Sequence, residues 1–223
     1  MNDAANEAPL PPCPAPDTCY VFLVRHGATP ASAAHPVVMA GRHSDGPLSA
    51  TGLRQAAETA AFLACRRLDA VYSSPMIRAV ETATAVGEAR GLVPRPVEAL
   101  VEADLGSWEG LSWDDIKAQD PAAYRQFIER PDLFGYGGGE SITQVRDRAI
   151  PALGELMRQH AGGVIAVVTH RIVIRACVAH LLGMPLAESR RLSPSTCGLS
   201  LLRQRREETE VMIFNALFHL SAW

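Results

Sequence analysis

Two short apolar runs in this chain each end in a histidine beside an arginine. Tyr20-Val21-Phe22-Leu23-Val24 runs into Arg25-His26-Gly27, and Val164-Ile165-Ala166-Val167-Val168-Thr169 runs into His170-Arg171. A guanidinium stays ionised and offers planar, forked donors that match oxyanions. A neutral imidazole nitrogen beside it can act as a nucleophile or hydrogen-bond partner. On its own Arg25-His26-Gly27 reads equally well as a surface turn. The recurrence of the pattern in an unrelated segment points instead to reactive groups delivered at strand tips, where open α/β sheets carry their sites.

Further segments carry a family resemblance. Leu23-Val24-Arg25-His26-Gly27-Ala28-Thr29 resembles the nucleophile motif of the histidine phosphatase (phosphoglycerate mutase-like) superfamily. Ser73-Ser74-Pro75-Met76-Ile77-Arg78-Ala79 resembles its second-arginine motif, and Leu100 to Gly110 its acid-bearing segment. Gly138-Gly139-Glu140-Ser141 resembles a recurrent loop and helix start, and Val168-Thr169-His170 the second histidine. The motifs follow the family's order over about residues 19 to 215. The resemblance implies an α/β three-layer sandwich, a mostly parallel sheet flanked by helices. It also implies phosphoryl transfer without metal or cofactor.

On that resemblance His26 is the nucleophile that forms a phosphohistidine, and Arg25 and Arg78 hold the phosphate. Their positive charge disfavours a protonated His26. His170 would donate to the transferring oxygens, helped by amides at the following helix start. Glu102 would serve as general acid and then base; its rivals Asp104 and Glu109 lie close by, and Trp108 and Glu109 read as loop packing. Thr29 could bind phosphate or cap a turn before Pro30. Arg42 is a substrate-side cation or a solvated loop residue. Arg171 stands where the family frequently has glycine, and either contacts substrate or faces solvent at a helix start. Lys117, Arg125, Arg130 and Tyr136 read as cap residues facing solvent, and His35, His43, His160, His180 and His219 as surface or packing residues.

The bulk properties bound the rest. A chain of 223 residues suits one compact domain, and a formal net charge of −3 gives no broad basic surface for nucleic acid or anionic lipid. Cys13, Cys19, Cys65, Cys177 and Cys197 form no CxxC pair, which argues against a disulfide framework or zinc site and suits a reducing, cytoplasmic setting. Cys19, Cys65 and Cys177 read as small packers. No run has the apolar length of a membrane span. Residues 1–18, rich in Pro and Ala, read as a disordered arm before a single domain at 19–223.

Strands alternate with helices. Helices are expected from Ser49 to about Arg67, from Pro75 to about Arg90 with Gly91 ending it, and from Ser141 to about His160. Strands are expected over Leu68–Tyr72 and Pro96–Val101, with late strands at Leu199–Leu202 and Val211–Phe214 at a sheet edge. A short cap at 111–139 holds one or two amphipathic helices broken at Pro121. The late strands offer an edge through which two copies could pair.

Three readings follow. The first is a metal-independent phosphomonoesterase acting on a small phosphorylated metabolite. The second is a mutase of the 2,3-bisphosphoglycerate-dependent type, which the short cap disfavours, because mutases of the family carry a long insertion there. The third is a non-catalytic phosphate-binding module, disfavoured because all five core residues are present. Gly41-Arg42-His43-Ser44-Asp45 and Leu182-Gly183-Met184-Pro185 are similar to segments of α-ribazole and broad-specificity phosphatases, without fixing a substrate.

Overall fold

A computed structural model describes residues 10–221. Six strands form one sheet: β1 (Thr18–Arg25), β2 (Ala70–Ser73), β3 (Arg95–Pro96), β4 (Val164–Thr169), β5 (Leu199–Arg205) and β6 (Glu208–Ala216), in the order β3-β2-β4-β1-β5-β6. The first four in that order are parallel, and β5 and β6 join antiparallel. Helices α1 (Pro30–Ala33), α2 (Ala50–Ala64), α3 (Ile77–Glu88), α4 (Trp113–Gln119), α5 (Pro121–Glu129), α6 (Ile142–Gln159) and α7 (Arg171–Leu181) complete the chain.

β1 and β4 are covered on both sides, as near-continuous apolar runs require. Tyr20, Phe22 and Val24 pack with Leu63 of α2 and Ala79, Ala83 and Val86 of α3. The alternate residues Val21 and Leu23 pack with Val145, Ala149 and Leu153 of α6 and Val173 and Cys177 of α7. The cap adds an aromatic group to this second layer. Phe127 and Tyr136 have ring centroids 4.4 Å apart, and Trp108 meets Phe127 edge-on at 5.1 Å.

Register places the site. Arg25 of β1 lies opposite Thr169 of β4, and Ser73 of β2 opposite Val168. The ladder continues one residue beyond the strands, with His26 N–H donating to Thr169 O and Ser74 N–H to Val168 O, both at 2.9 Å. His26, His170 and Ser74 therefore stand side by side at the carboxyl ends of three neighbouring parallel strands.

Several boundaries differ from the sequence expectation. α3 begins at Ile77 with Met76 as its cap residue, so Pro75 lies outside the first turn; the Ile77 amide is satisfied by both carboxylate oxygens of Asp45 at 3.0 Å. Of the strand or extended segment expected over Pro96–Val101, only Pro96 lies in a strand, Arg95–Pro96; Val97 N–H still donates to Ser73 O at 2.8 Å, and the chain then leaves the ladder in a 3-10 turn at Glu98–Leu100. α2 stops at Ala64. The late strands are longer than expected and do form one edge of the sheet. Cys19 and Cys177 are buried packers, but Cys65, at the end of α2, is exposed. Of the expected arm, residues 1–9 lie outside the described residues, Leu10 O accepts from Arg66 Nε, and Thr18 already belongs to β1. No helix among the described residues is long and apolar enough to cross a membrane.

Candidate active site

The carboxyl ends of the parallel strands open into a cavity of about 280 Å³. Arg25, His26, Thr29, Arg78, Glu102 and Arg171 line it, together with Tyr136, Arg175, Arg190 and an apolar rim of Val37, Val38 and Met39.

His26 is buried at the tip of β1, its Nδ1 2.8 Å from Gly27 O. A carbonyl only accepts, so Nδ1 carries the ring proton and Nε2 keeps its lone pair. Burial, then the charges of Arg25 and Arg78, hold this imidazole well below its ordinary pKa, against the opposing pull of the Gly27 hydrogen bond. Gly27 is required by proximity and not by a left-handed backbone. A Cβ there would lie 2.6 Å from Gly52 O, where the strand end meets the first turn of α2.

His170, fully buried, has its ring centroid 5.1 Å from that of His26. Its Nε2 lies 2.7 Å from Ser74 Oγ, and its Nδ1 has no partner within the protein. Ser74 Oγ also accepts weakly from Met76 N–H, at 3.3 Å; with the hydroxyl proton donated to Nε2, the ring proton of His170 sits on Nδ1. His170 is likewise held well below its ordinary pKa, by burial first and then by His26, Arg78 and Arg25.

Arg78 is clamped by the loop before α2. It donates through Nη1 to Ser44 O at 2.7 Å and through Nη2 to Gly41 O at 3.1 Å, with Asp45 3.6 Å away. Arg25 donates through Nη1 to Pro194 O at 3.0 Å and keeps a buried, unpartnered Nε. Burial and neighbouring Arg171 lower Arg25 to about 10, which still leaves it charged at neutral pH. Two guanidiniums and two neutral imidazoles thus converge, a combination suited to a phosphoryl group.

Glu102 is buried and faces this cluster. Its Oε1 accepts from Ala103 N–H at 2.9 Å and its Oε2 from Ile172 N–H at 3.3 Å, in the first turn of α7. Of the amides at the start of α7, expected to help His170 bind phosphate, that of Ile172 is engaged by Glu102. The rivals of Glu102 are otherwise engaged. Glu109 binds His43 N–H and Ser44 Oγ in the loop that clamps Arg78, and Asp104 accepts from Gly106 N–H and pairs with His43.

Thr29 lines the cavity and also caps α1, its Oγ1 accepting from Ser32 N–H at 3.2 Å. Arg42 is turned away to Glu140, at 3.1 Å, and is not among the lining residues, which corrects its reading as a substrate-side cation. Arg171 lines the cavity and donates to Ser193 Oγ at 3.2 Å. Tyr136, read as solvating the cap, instead is buried and lines the cavity, whereas Lys117, Arg125 and Arg130 do not, Arg130 pairing with Asp132. Sequence reading missed Arg175 and Arg190. Arg175 follows Arg171 by one helical turn and was open to a spacing argument; Arg190 lies in an irregular 3-10 segment, Leu186–Arg191, that gave no signal.

A profile of the histidine phosphatase superfamily (branch 1) matches residues 21–217. The chain belongs to that superfamily. Phosphoserine phosphatase 1 of Hydrogenobacter thermophilus is 30% identical over 203 residues, which cover 90% of this chain and 93% of that one. A metal-independent phosphoserine phosphatase of Arabidopsis thaliana is 37% identical over 160 residues, 70% of this chain and 66% of its relative. The mycobacterial glucosyl-3-phosphoglycerate phosphatase superposes with a TM-score of 0.80 at 30% identity, covering 90% of this chain and all of that one (100%). The α/β sandwich with its six-stranded, mostly parallel sheet is therefore the fold of this histidine phosphatase family.

Proposed function

We propose that this protein is a metal-independent phosphomonoesterase acting on a small phosphorylated metabolite, with His26 as nucleophile. The observation that carries the reading is the 2.8 Å contact of His26 Nδ1 with Gly27 O, which leaves Nε2 unprotonated beside two arginines.

Nε2 attacks phosphorus and the bond from phosphorus to the ester oxygen breaks. Glu102 gives that oxygen its proton, so the alcohol leaves neutral. Arg25 and Arg78 hold the equatorial oxygens, and His170 Nδ1–H donates to them. Water then gives a proton to the Glu102 carboxylate and attacks phosphorus, the P–N bond breaks, and phosphate leaves with His26 and Glu102 restored. The names of the relatives make L-phosphoserine the first substrate to try. The unpaired cysteines support work in the reducing cytoplasm, and the β6 edge is the face through which two copies would pair.

The test is phosphate release from L-phosphoserine, phosphoglycerates, sugar phosphates, α-ribazole phosphate and p-nitrophenyl phosphate in EDTA, by the protein and by His26→Ala. Release in EDTA that the substitution abolishes supports the reading; transfer of phosphate to a second metabolite in place of water would make the protein a mutase.

A further inference from the structure

The cavity holds more positive charge than one phosphate needs. Five guanidiniums and one carboxyl group line it, and a bound phosphoryl dianion would offset at most half of the excess. Arg25 and Arg78 flank His26; Arg171, Arg175 and Arg190 do not belong to the phosphoryl site as described.

None of these three has a carboxylate within ion-pair distance among the described residues, whereas Arg191, next in the chain, pairs with Glu188 at 2.7 Å. Their partners are neutral. Arg175 Nε donates to Leu192 O at 2.7 Å, Arg171 reaches Ser193 Oγ, and the Arg190 guanidinium lies over the Trp113 ring at 5.1 Å. The Arg171 Nε is buried without a partner. Arg171 and Arg175 project from the same face of α7, one turn apart, so their like charges repel. Burial, then Arg171, lowers Arg175 to about 10. Arg171 and Arg175, half-buried, mutually repelling and lacking a counter-ion, are stabilised by an arriving anion, and Arg190, exposed at the rim of the cavity, adds a third unpaired cation.

We propose that Arg171, Arg175 and Arg190 form a second oxyanion subsite, so that preferred substrates carry a carboxylate or a second phosphate besides the ester phosphate. This rests on the phosphomonoesterase reading for its substrate class, but binding alone can test it.

The experiment compares matched pairs, L-phosphoserine with O-phosphoethanolamine, which lacks only the carboxylate, and fructose 1,6-bisphosphate with fructose 6-phosphate. Dissociation constants are measured by calorimetry on His26→Ala, alone and combined with Arg171→Gln or Arg190→Gln, and kcat/KM on the protein with an active His26. The subsite predicts at least about tenfold tighter binding of one anion-bearing member, one well-placed charge-assisted contact being worth that much or more. It also predicts a ratio within that pair that falls several-fold in each arginine variant. Which pair responds separates carboxylate from phosphate. A ratio near one in both pairs, or a preference that neither arginine substitution alters, overturns the subsite. A binding preference without turnover by the active-His26 protein would sink the hydrolytic reading and leave the subsite standing.

Discussion

Glu140 Oε1 accepts from Arg148 Nε at 2.9 Å, and this pair governs where Glu102, the proposed acid, points. Arg148 donates through Nη1 to Ala99 O at 2.7 Å and through Nη2 to Glu102 O at 3.2 Å, tying down the main chain on both sides of Leu100-Val101. Glu140 also binds Asp104 N–H at 2.9 Å and Arg42. The side chain of Glu102 therefore inherits its aim from a network that touches no substrate.

Arg148→Met removes that tie. A misplacement of about 1 Å can cost roughly a hundredfold in rate, so kcat is expected to fall about 10- to 100-fold with KM nearly unchanged. Breaking a largely buried ion pair also costs about 3 kcal/mol of stability, read from urea midpoints. A proportional rise in KM would place Arg148 in substrate binding instead.

Glu102→Gln should lower steady-state kcat by about 10²- to 10⁴-fold, the usual contribution of a positioned acid or base. p-Nitrophenolate leaves without help from an acid, so its release should show a rapid burst, with dephosphorylation, now lacking a base, left slow. Equal loss in both steps would argue that Glu102 shapes the phosphoryl site and is not its acid and base, and little loss in either would return the role to Asp104 or Glu109.

Protonation of His26 would occupy its nucleophilic lone pair, and burial beside Arg25 and Arg78 lowers its pKa well below 6.5. Loss of kcat/KM attributable to that group should accordingly lie well on the acid side of 6.5, and a loss centred at 6.5 or above would contradict the described environment. The stability effect has the same direction. His26, His160, His170 and His219 are all lowered in the folded protein, chiefly by burial. Below the unfolded value of 6.5 the unfolded chain binds more protons than the folded one, so stability is fully present above 6.5 and declines as the pH falls through and below it. Denaturation at a series of pH values checks this, and His170→Asn should flatten the decline.

Gly52→Ala would put a Cβ 2.0 Å from Ala28 O, against backbone that cannot swing aside. The expected cost is about 1–3 kcal/mol, typical of overpacking, together with reduced turnover because Ala28 follows the His26-Gly27 turn. Gly46→Ala, with nothing within 4 Å, is the control and should be neutral.

The strand-end residues His26, His170 and Arg25 were legible because each sits in a local run whose apolar character fixes a strand and whose end fixes the side chain's place. Glu102 was legible only through its motif, since its segment forms a 3-10 turn and not the expected strand. Arg42 was not, because its partner Glu140 lies 98 residues away and a long flexible side chain takes its direction from such a partner. Tyr136 turns inward on backbone that only its neighbours Gly137 (φ 49°) and Gly138 (φ 82°) adopt readily, and the glycine-rich composition of that loop did not reveal the direction. The hold of the Ile172 amide on Glu102 was not legible either, because the two residues lie 70 apart in the chain.

The proposed mechanism carries the phosphoryl group on His26 between its two steps. Rapid alkaline quenching of the protein with a substrate it turns over, in EDTA, followed by peptide mass spectrometry, tests it directly. A phosphohistidine intermediate gives an alkali-stable, acid-labile phosphoryl group on the peptide bearing Arg25-His26-Gly27, formed faster than steady-state turnover and absent in His26→Ala. Turnover that requires an added metal ion, leaves His26 unmodified and survives His26→Ala would contradict it.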